Sequence, residues 1–443
     1  MEYVPESVIA YPIHTRSLPN GLRVVVSPDH SVPAVAVNLW YDVGSRNERP
    51  GERGWAHLFE HLMFSGSEHV ASGEHLNALQ AVGGIVNATT WFDRTNYFET
   101  LPVGALELAL WMEADRLATL PDHLTEAAVD TQREVVKEEK RQRYDNVPYG
   151  DAMEHLVELA FGPEHPYGHT TIGSMADLDG ATVAGAASFF RTHYRPDNAV
   201  LTLVGDITPK EAFKKAERAF GKVPGGAART FGALNSSRPS SPANPSVPPL
   251  AGTPTRKLSG RVPAAATYFA WRLPPRDTPA FDACDLALAA LGAGQTSRLH
   301  QRLVREQQVA AGAGASALPL IAGNSLGLVQ VRSLPGDGGA AAAAAALAEV
   351  ERLAETGPTQ AELDRAKIQF EREWLTQLSR FDARADTISA FAVLHGDPER
   401  INRRLDEVRS INLDDVARAC ATYLQPAQRA QLDYSQEADH AEG

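Results

Sequence analysis

The feature that most limits how this chain can fold is a break near its middle. Between about residues 225 and 260 it carries Ser236-Ser237-Arg238-Pro239-Ser240-Ser241-Pro242-Ala243-Asn244-Pro245, then Pro248-Pro249 and Pro254. Proline at this density blocks helix and sheet interiors, and the serines bring nothing to bury. The break predicts an N-terminal domain over 1–228, a Pro/Ser-rich linker over 229–258 and a C-terminal domain over 259–443. The two sides echo each other. The first ends with a helix reaching Phe189-Phe190, then Tyr194-Arg195-Pro196, then a β-rich run at 199–204. The second ends with a helix reaching Ala419, then Tyr423-Leu424-Gln425-Pro426, then a run at 430–434. The same order in both places points to a duplicated unit.

The local signals mix strands and helices. Arg23-Val24-Val25-Val26 and residues 34–41 read as strands, with Asn20-Gly21 and Pro28-Asp29 as turn signals. Residues 55–64 read as a helix, and 73–82 as another closed by Gly83-Gly84. Residues 87–100 read as two strands around Asp93-Arg94, and 124–144 as a long helix. Residues 340–355 read as a helix stopped by Gly357-Pro358, after which Thr359 and Glu362 form a capping box. Hairpin strands with segregated helix pairs predict an α+β architecture and not a doubly wound parallel sheet.

Composition narrows the function classes. The 443 residues are 43% hydrophobic and 22% charged, ordinary globular usage, which excludes a wholly disordered or collagen-like chain. With 42 Lys and Arg against 55 Asp and Glu the formal charge is −13, so no general attraction to nucleic acid or to an anionic bilayer is expected. Cys284 and Cys420, far apart, read as buried small side chains and not as a disulfide framework. No stretch approaches the roughly 18 apolar residues of a membrane span, and the N-terminus has no basic-then-apolar leader pattern. These signals predict a soluble chain, cytoplasmic or periplasmic, with a disordered acidic tail over 437–443.

His57-Leu58-Phe59-Glu60-His61 is the sharpest chemical signal. Residues four apart on a helix share a face, so His57 and His61 point the same way. Two neutral imidazoles so placed can bind one Zn²⁺ at about 2.0–2.1 Å each. Glu60 lies near the same face and can take a proton from water, in the reverse of the HExxH order. Trp55, Ala56, Leu58, Phe59, Leu62, Met63 and Phe64 surround the motif, and so apolar a helix is buried. Buried His and Glu need strong partners, and a metal ion provides one. A third ligand is required. On the 124–144 helix the stripe Val129, Gln132, Val135 and Val136 extends to Glu139, with Glu138 at its edge, so Glu139 is favoured over Glu138. Glu134, Lys137 and Lys140 read as a solvated face. Other histidines read as bland: His165 as loop packing, His69 and His75 as solvent-facing.

Several motifs occur in order along nearly the whole chain: Leu18-Pro19-Asn20-Gly21-Leu22, the segment 51–66 around His57, Glu60 and His61, Asn87-Ala88-Thr89-Thr90, Val135-Val136 with Glu139, His165-Pro166-Tyr167-Gly168 with Ile172-Gly173, Tyr194, Pro196 and Asn198 before Gly205-Asp206, Ser297-Arg298-Leu299, and Leu303 with Arg305-Glu306. In this the chain resembles the inverted-zincin peptidases of the pitrilysin and insulinase family, and most of all the short subunits similar to mitochondrial processing peptidase. The resemblance implies two homologous domains, each an antiparallel-rich sheet with helices packed on one face, together forming half of a clamshell. It places the third zinc ligand on Glu139, one Zn²⁺ per chain. It implies hydrolysis of peptides or unfolded polypeptides, with the ion acidifying water and polarising the carbonyl while Glu60 moves the proton. Relatives often carry a glutamate where this chain has Gln132, which cannot ionise. Substrate is expected to add as a strand beside 87–90, with Asn87 in contact. Relatives also supply an Arg and a Tyr to the oxyanion from the second half; Arg305 fits, but Ala311 or Gly312 stands where Tyr is expected. This gap favours a heterodimer with a homologous subunit that supplies the missing pair over a homodimer. The competing expectations are a noncatalytic scaffold and a subunit that clamps peptides without cutting.

Overall fold

A computed structural model describes residues 10–225, 248–321 and 323–437. Residues 1–9, 226–247, 322 and 438–443, which include most of the expected linker and acidic tail, lie outside the described residues.

The chain folds into two compact units. One comprises residues 1–138, 171–243 and 373–406; the other comprises 139–170, 244–372 and 407–443. The first unit holds a six-stranded sheet of β1 (His14–Ser17), β2 (Arg23–Pro28), β3 (Ala34–Tyr41), β4 (Ile85–Thr90), β5 (Thr95–Pro102) and β6 (Ala199–Gly205), in the order β1-β2-β6-β3-β5-β4. The second holds β7 (Thr255–Gly260), β8 (Ala266–Leu273), β9 (Ala310–Leu318), β10 (Ser325–Ser333) and β11 (Ala430–Gln436), in the order β7-β11-β8-β10-β9. Without β1 the two orders are the same. In each sheet only one pairing is parallel, β2 with β6 and β7 with β11, and these pairs occupy equivalent places. The echo between Tyr194-Pro196 and Tyr423-Pro426 is therefore the lead-in to the equivalent strands β6 and β11.

The expected α+β layering is present, and each sheet gains a helix on its other face. In the first unit the Leu106–His123 helix packs on β3 and β5. The Phe381–Ala390 helix, from late in the sequence, packs on β3 and β6. There Asp386 accepts from Trp40 Nε1 and from Asn96 Nδ2, both at 2.9 Å, and Ser389 donates to Thr202 at 2.7 Å. In the second unit the Pro279–Gly292, Ala340–Thr356 and Leu413–Tyr423 helices enclose a core with Trp271, Leu288, Val350, Leu353 and Val416. The Ala152–Phe161 helix, from early in the sequence, covers β8 and β11, with Ala160 O accepting from Arg272 Nε at 2.6 Å.

These two helices correct the linear division at 228 and 259. The physical reason lies in the central strands. β3 is buried from Val35 to Tyr41 without alternation, so both its faces must be covered. The helix that covers the second face comes from the other half of the chain. The linker boundary at 258 also shifts, since β7 begins at Thr255.

Other local expectations hold. Thr359 N donates to Glu362 Oε2 at 2.7 Å while Glu362 N donates to Thr359 Oγ1 at 3.3 Å, the reciprocal pattern of a capping box at the start of the Gln360–Leu378 helix. Cys284 and Cys420 are buried, and burial pushes the Cys420 thiol up to about 12, which suits packing and not reactivity. Among the described residues no helix is long and apolar enough to cross a membrane.

Candidate metal centre

The motif helix runs over Trp55–Leu62. Trp55, Ala56, Leu58, Phe59 and Leu62 are buried, while His57, Glu60 and His61 are half-buried. The polar residues thus form the helix's single opening. Phe59 stacks on Phe189 with ring centroids 5.2 Å apart and leans on Tyr194 at 5.4 Å, which fixes the helix's rotation. Its N-terminus is fixed as well. Glu48 accepts from Gly54 N at 2.9 Å and Ala56 N at 2.8 Å, placing a carboxylate on the helix's positive end. Gly54 has φ +98°, and a Cβ there would meet Ile172 O at 2.9 Å. Gly173 has φ +70°, and its Cβ would lie 2.3 Å from Arg53 O. The Ile172-Gly173 motif thus has a steric basis: it lets the loop press against the start of the motif helix.

His57 and His61 stand with ring centroids 4.9 Å apart and planes at 87°. Glu139 joins them: His57, His61 and Glu139 each offer one donor atom, all within 4.8 Å of one another. Glu139 sits on the Glu126–Lys140 helix, one turn beyond the fully buried Val136. Although the division between units falls between 138 and 139, it cuts inside this continuous helix. Tetrahedral zinc with bonds of 2.0–2.1 Å needs donors roughly 3.4 Å apart, so the two imidazoles and the carboxylate, within 4.8 Å of one another, are the right donor set and would draw closer to hold the ion. Glu139 also accepts from Arg143 at 2.6 Å, and its charge helps to raise the Tyr144 hydroxyl, after burial as the larger cause.

Glu60, on the same helix, accepts from Thr90 Oγ1 at 2.6 Å. Asn87 is exposed on β4, the edge strand of the first sheet, beside the motif helix. Neither Asn87 nor Arg305 belongs to the three-residue donor group. Arg305 is exposed on the His300–Glu306 helical segment of the second unit. Ala311 and Gly312 lie on β9.

Part of the stripe logic fails while its conclusion stands. Val135 is 44% exposed, so the buried line is Val129 and Val136, with Gln132 and Glu139 half-buried along it. Glu138 is exposed. Lys140, expected on a solvated face, is buried, with Glu154 2.9 Å away. His69 is exposed as expected and pairs with Asp115 at 2.7 Å, and His165 stacks on Phe161 at 4.8 Å.

His75 overturns its expectation. It is buried, with Nε2 3.3 Å from Glu113, and burial lowers its pKa. Around it lies a buried polar cluster that sequence reasoning missed. Glu113, Arg116 and Glu99 are at most 2% exposed. Arg116 Nε donates to Glu113 at 3.1 Å, and its guanidinium lies 5.0 Å over Phe64 and 4.4 Å over Tyr97. Burial, and then the Glu113 charge, push the Glu99 carboxyl well up. Glu113 and Arg116 are an i,i+3 pair on the Leu106–His123 helix, but His75 and Glu99 come from other elements and no spacing signal joins them to it.

Comparison with known proteins shows the family. The insulinase (peptidase family M16) profile matches residues 23–173, and the M16 inactive-domain profile matches residues 181–370. An uncharacterized zinc protease of Mycobacterium leprae is 31% identical over 322 residues, 72% of this chain and 69% of that protein. The chain belongs to the insulinase family, peptidase family M16. The zinc protease PqqE of Helicobacter pylori is 28% identical over 422 residues, covering 93% of this M16 chain and 90% of that protein. The crystal structure of a protease from Helicobacter pylori superposes with a TM-score of 0.87 at 26% identity, over 96% of this chain and 99% of the other. The motif helix and Glu60 fall within the matched insulinase segment, as does Glu139.

Proposed function

We propose that this M16 chain is a zinc-dependent endopeptidase of peptides or unfolded polypeptides. The observation that carries the reading is the convergence of His57, His61 and Glu139 from two helices, with Glu60 beside them. Zinc held there supplies a Lewis acid for the scissile carbonyl and an acidified water. Glu60 takes the proton of the attacking water and delivers it to the leaving amine. The outer backbone groups of β4 pair with an extended substrate, and Asn87 contacts it. Because such pairing uses the main chain, the affinity depends weakly on substrate side chains. Arg305 contributes a donor to the oxyanion. Ala311 and Gly312 have no side-chain donor, so a homologous partner subunit supplies the missing pair and closes the chamber, as a heterodimer.

A second reading, a subunit that clamps or scaffolds without cutting, is favoured by the inactive-domain match over 181–370 and by the absent tyrosine. Metal analysis with a quenched fluorescent peptide separates the two. The native complex, copurified with any second subunit, is expected to hold one zinc per copy of this chain and to cleave. Glu60→Gln is expected to keep the zinc and lose about 10²–10⁴-fold in rate, while Glu139→Gln loses zinc. Zinc without cleavage that depends on Glu60 would favour the clamp.

A further inference from the structure

The hydroxyl that meets Glu60 belongs to a braced hairpin. Thr90 ends β4 and pairs with Thr95 of β5. Trp91 N donates to Arg94 O at 2.8 Å across the turn. Arg94 donates to Thr89 O at 2.8 Å and to Asn96 Oδ1 at 3.0 Å, while Asn96 donates onward to Asp386 at 2.9 Å. The turn is fastened from outside too: Asp93 accepts from the buried Arg46 at 2.6 Å, and Arg46 N donates to Phe92 O at 3.1 Å. A side chain at position 90 therefore starts from a fixed backbone, and the branched Cβ of threonine restricts its one torsion further. Glutamate by contrast has several torsions to fix before its carboxylate points anywhere in particular.

We infer that Thr90 is a positioning residue for Glu60: its hydroxyl, donated to Glu60 Oε2 at 2.6 Å, clamps the carboxylate in the rotamer from which it exchanges protons with the reacting water. The distance is that of a short O–H···O hydrogen bond, which adds direction as well as energy. The inference rests on the reading of Glu60 as the proton carrier, and it goes beyond that reading in naming what aims it. In this role the Thr90 hydroxyl acts on Glu60 through orientation. Outer partners of this kind typically matter by about 10–100-fold.

The test compares Thr90→Val, Thr90→Ser and Glu60→Gln in the native complex, with kcat and KM read separately and zinc counted in each. Thr90→Val is expected to lower kcat about 10–100-fold, leave KM within about twofold and keep one zinc per chain. Thr90→Ser, which keeps the hydroxyl, is expected to restore most of the rate. Thr90→Val added to Glu60→Gln is expected to cost nothing more, because the group it aims is already gone. A readout free of catalysis runs beside these: in metal-free full-length chain, Thr90→Val lowers the melting temperature when Glu60 is present and not in Glu60→Ala. The inference fails if Thr90→Val keeps kcat, if it changes KM alone, if it loses zinc, or if Thr90→Ser is as poor as Thr90→Val. Undiminished cleavage by Glu60→Gln would instead overturn the underlying reading of Glu60.

Discussion

Acid should loosen the packing behind the motif helix, and His193 is the residue through which it does so. His193 ends the Val183–His193 helix, and its ring lies 4.7 Å from Phe189, which in turn stacks on Phe59 of the motif helix. Burial, and then the charges of Arg49 and Arg46, lower its pKa from 6.5 to about 4. The folded protein therefore holds the ring neutral, while the unfolded chain protonates near pH 6.5. With the folded value depressed, the stabilisation is complete above pH 6.5 and is lost as pH falls toward 4. The 2.5-unit difference corresponds to about 3.4 kcal/mol in full, of which about 2 kcal/mol is gone at pH 5. His193→Phe fills similar space, keeps an aromatic face toward Phe189 and cannot titrate. Urea unfolding of chelator-treated protein between pH 7.5 and 4.5, followed by tryptophan fluorescence, measures the slope without metal linkage. The parent should lose stability more steeply below pH 6.5 than His193→Phe, by about 2 kcal/mol at pH 5. Parallel slopes for the two proteins over that interval would refute the assignment.

Three further outcomes follow from the site's surroundings. Glu48→Ala removes the carboxylate that holds Gly54 N and Ala56 N, and should cost about 1–2 kcal/mol in unfolding free energy, with weaker zinc retention under competition by a chelator. Arg116→Met leaves Glu113 buried without its cation and should cost about 3–5 kcal/mol, whereas adding Glu113→Gln should recover much of it; a denaturation double-mutant cycle reads the difference. Gly173→Ala forces a Cβ to within 2.3 Å of Arg53 O at φ +70°, so the loop must shift, and should lower stability by about 1–3 kcal/mol and zinc affinity with it, measured by calorimetry.

Features that a local pattern fixes were legible in the sequence, and features that a distant partner fixes were not. The motif helix could be read because three polar residues interrupt an otherwise apolar run. The Thr359 and Glu362 capping box could be read because its two partners are three residues apart. The helices at 152–161 and 381–390 show a buried face, but no pattern says which sheet that face will meet. Val135 misled for a related reason: a branched apolar residue is commonly buried, yet here the face is set by Val129 and Val136 seven residues apart, and Val135 falls outside it. The burial of His75, Glu99, Glu113 and Arg116 was illegible because charged residues are ordinarily exposed, and only the fold brings His75 and Glu99 to the Glu113–Arg116 pair.

The duplication also bears on why the candidate metal site lies in one half. After β3 the first unit places the Trp55–Leu62 helix, and after β8 the second places the Pro279–Gly292 helix. The second is buried along nearly its whole length, from Phe281 through Ala283, Cys284, Leu286, Ala287 and Leu288 to Leu291, with no histidine on it. It spends every face on its core. The first opens one face and sets His57, Glu60 and His61 there, and the rest of its unit compensates with Glu48 at its start and the Phe59–Phe189 stack behind it. Burying ionisable side chains is costly without partners, and Glu139, at the end of the helix that begins in the same unit, faces the two histidines. In the other copy the corresponding helix is filled by alanine and leucine, so the repeat shows in the strand order and not in the candidate site residues.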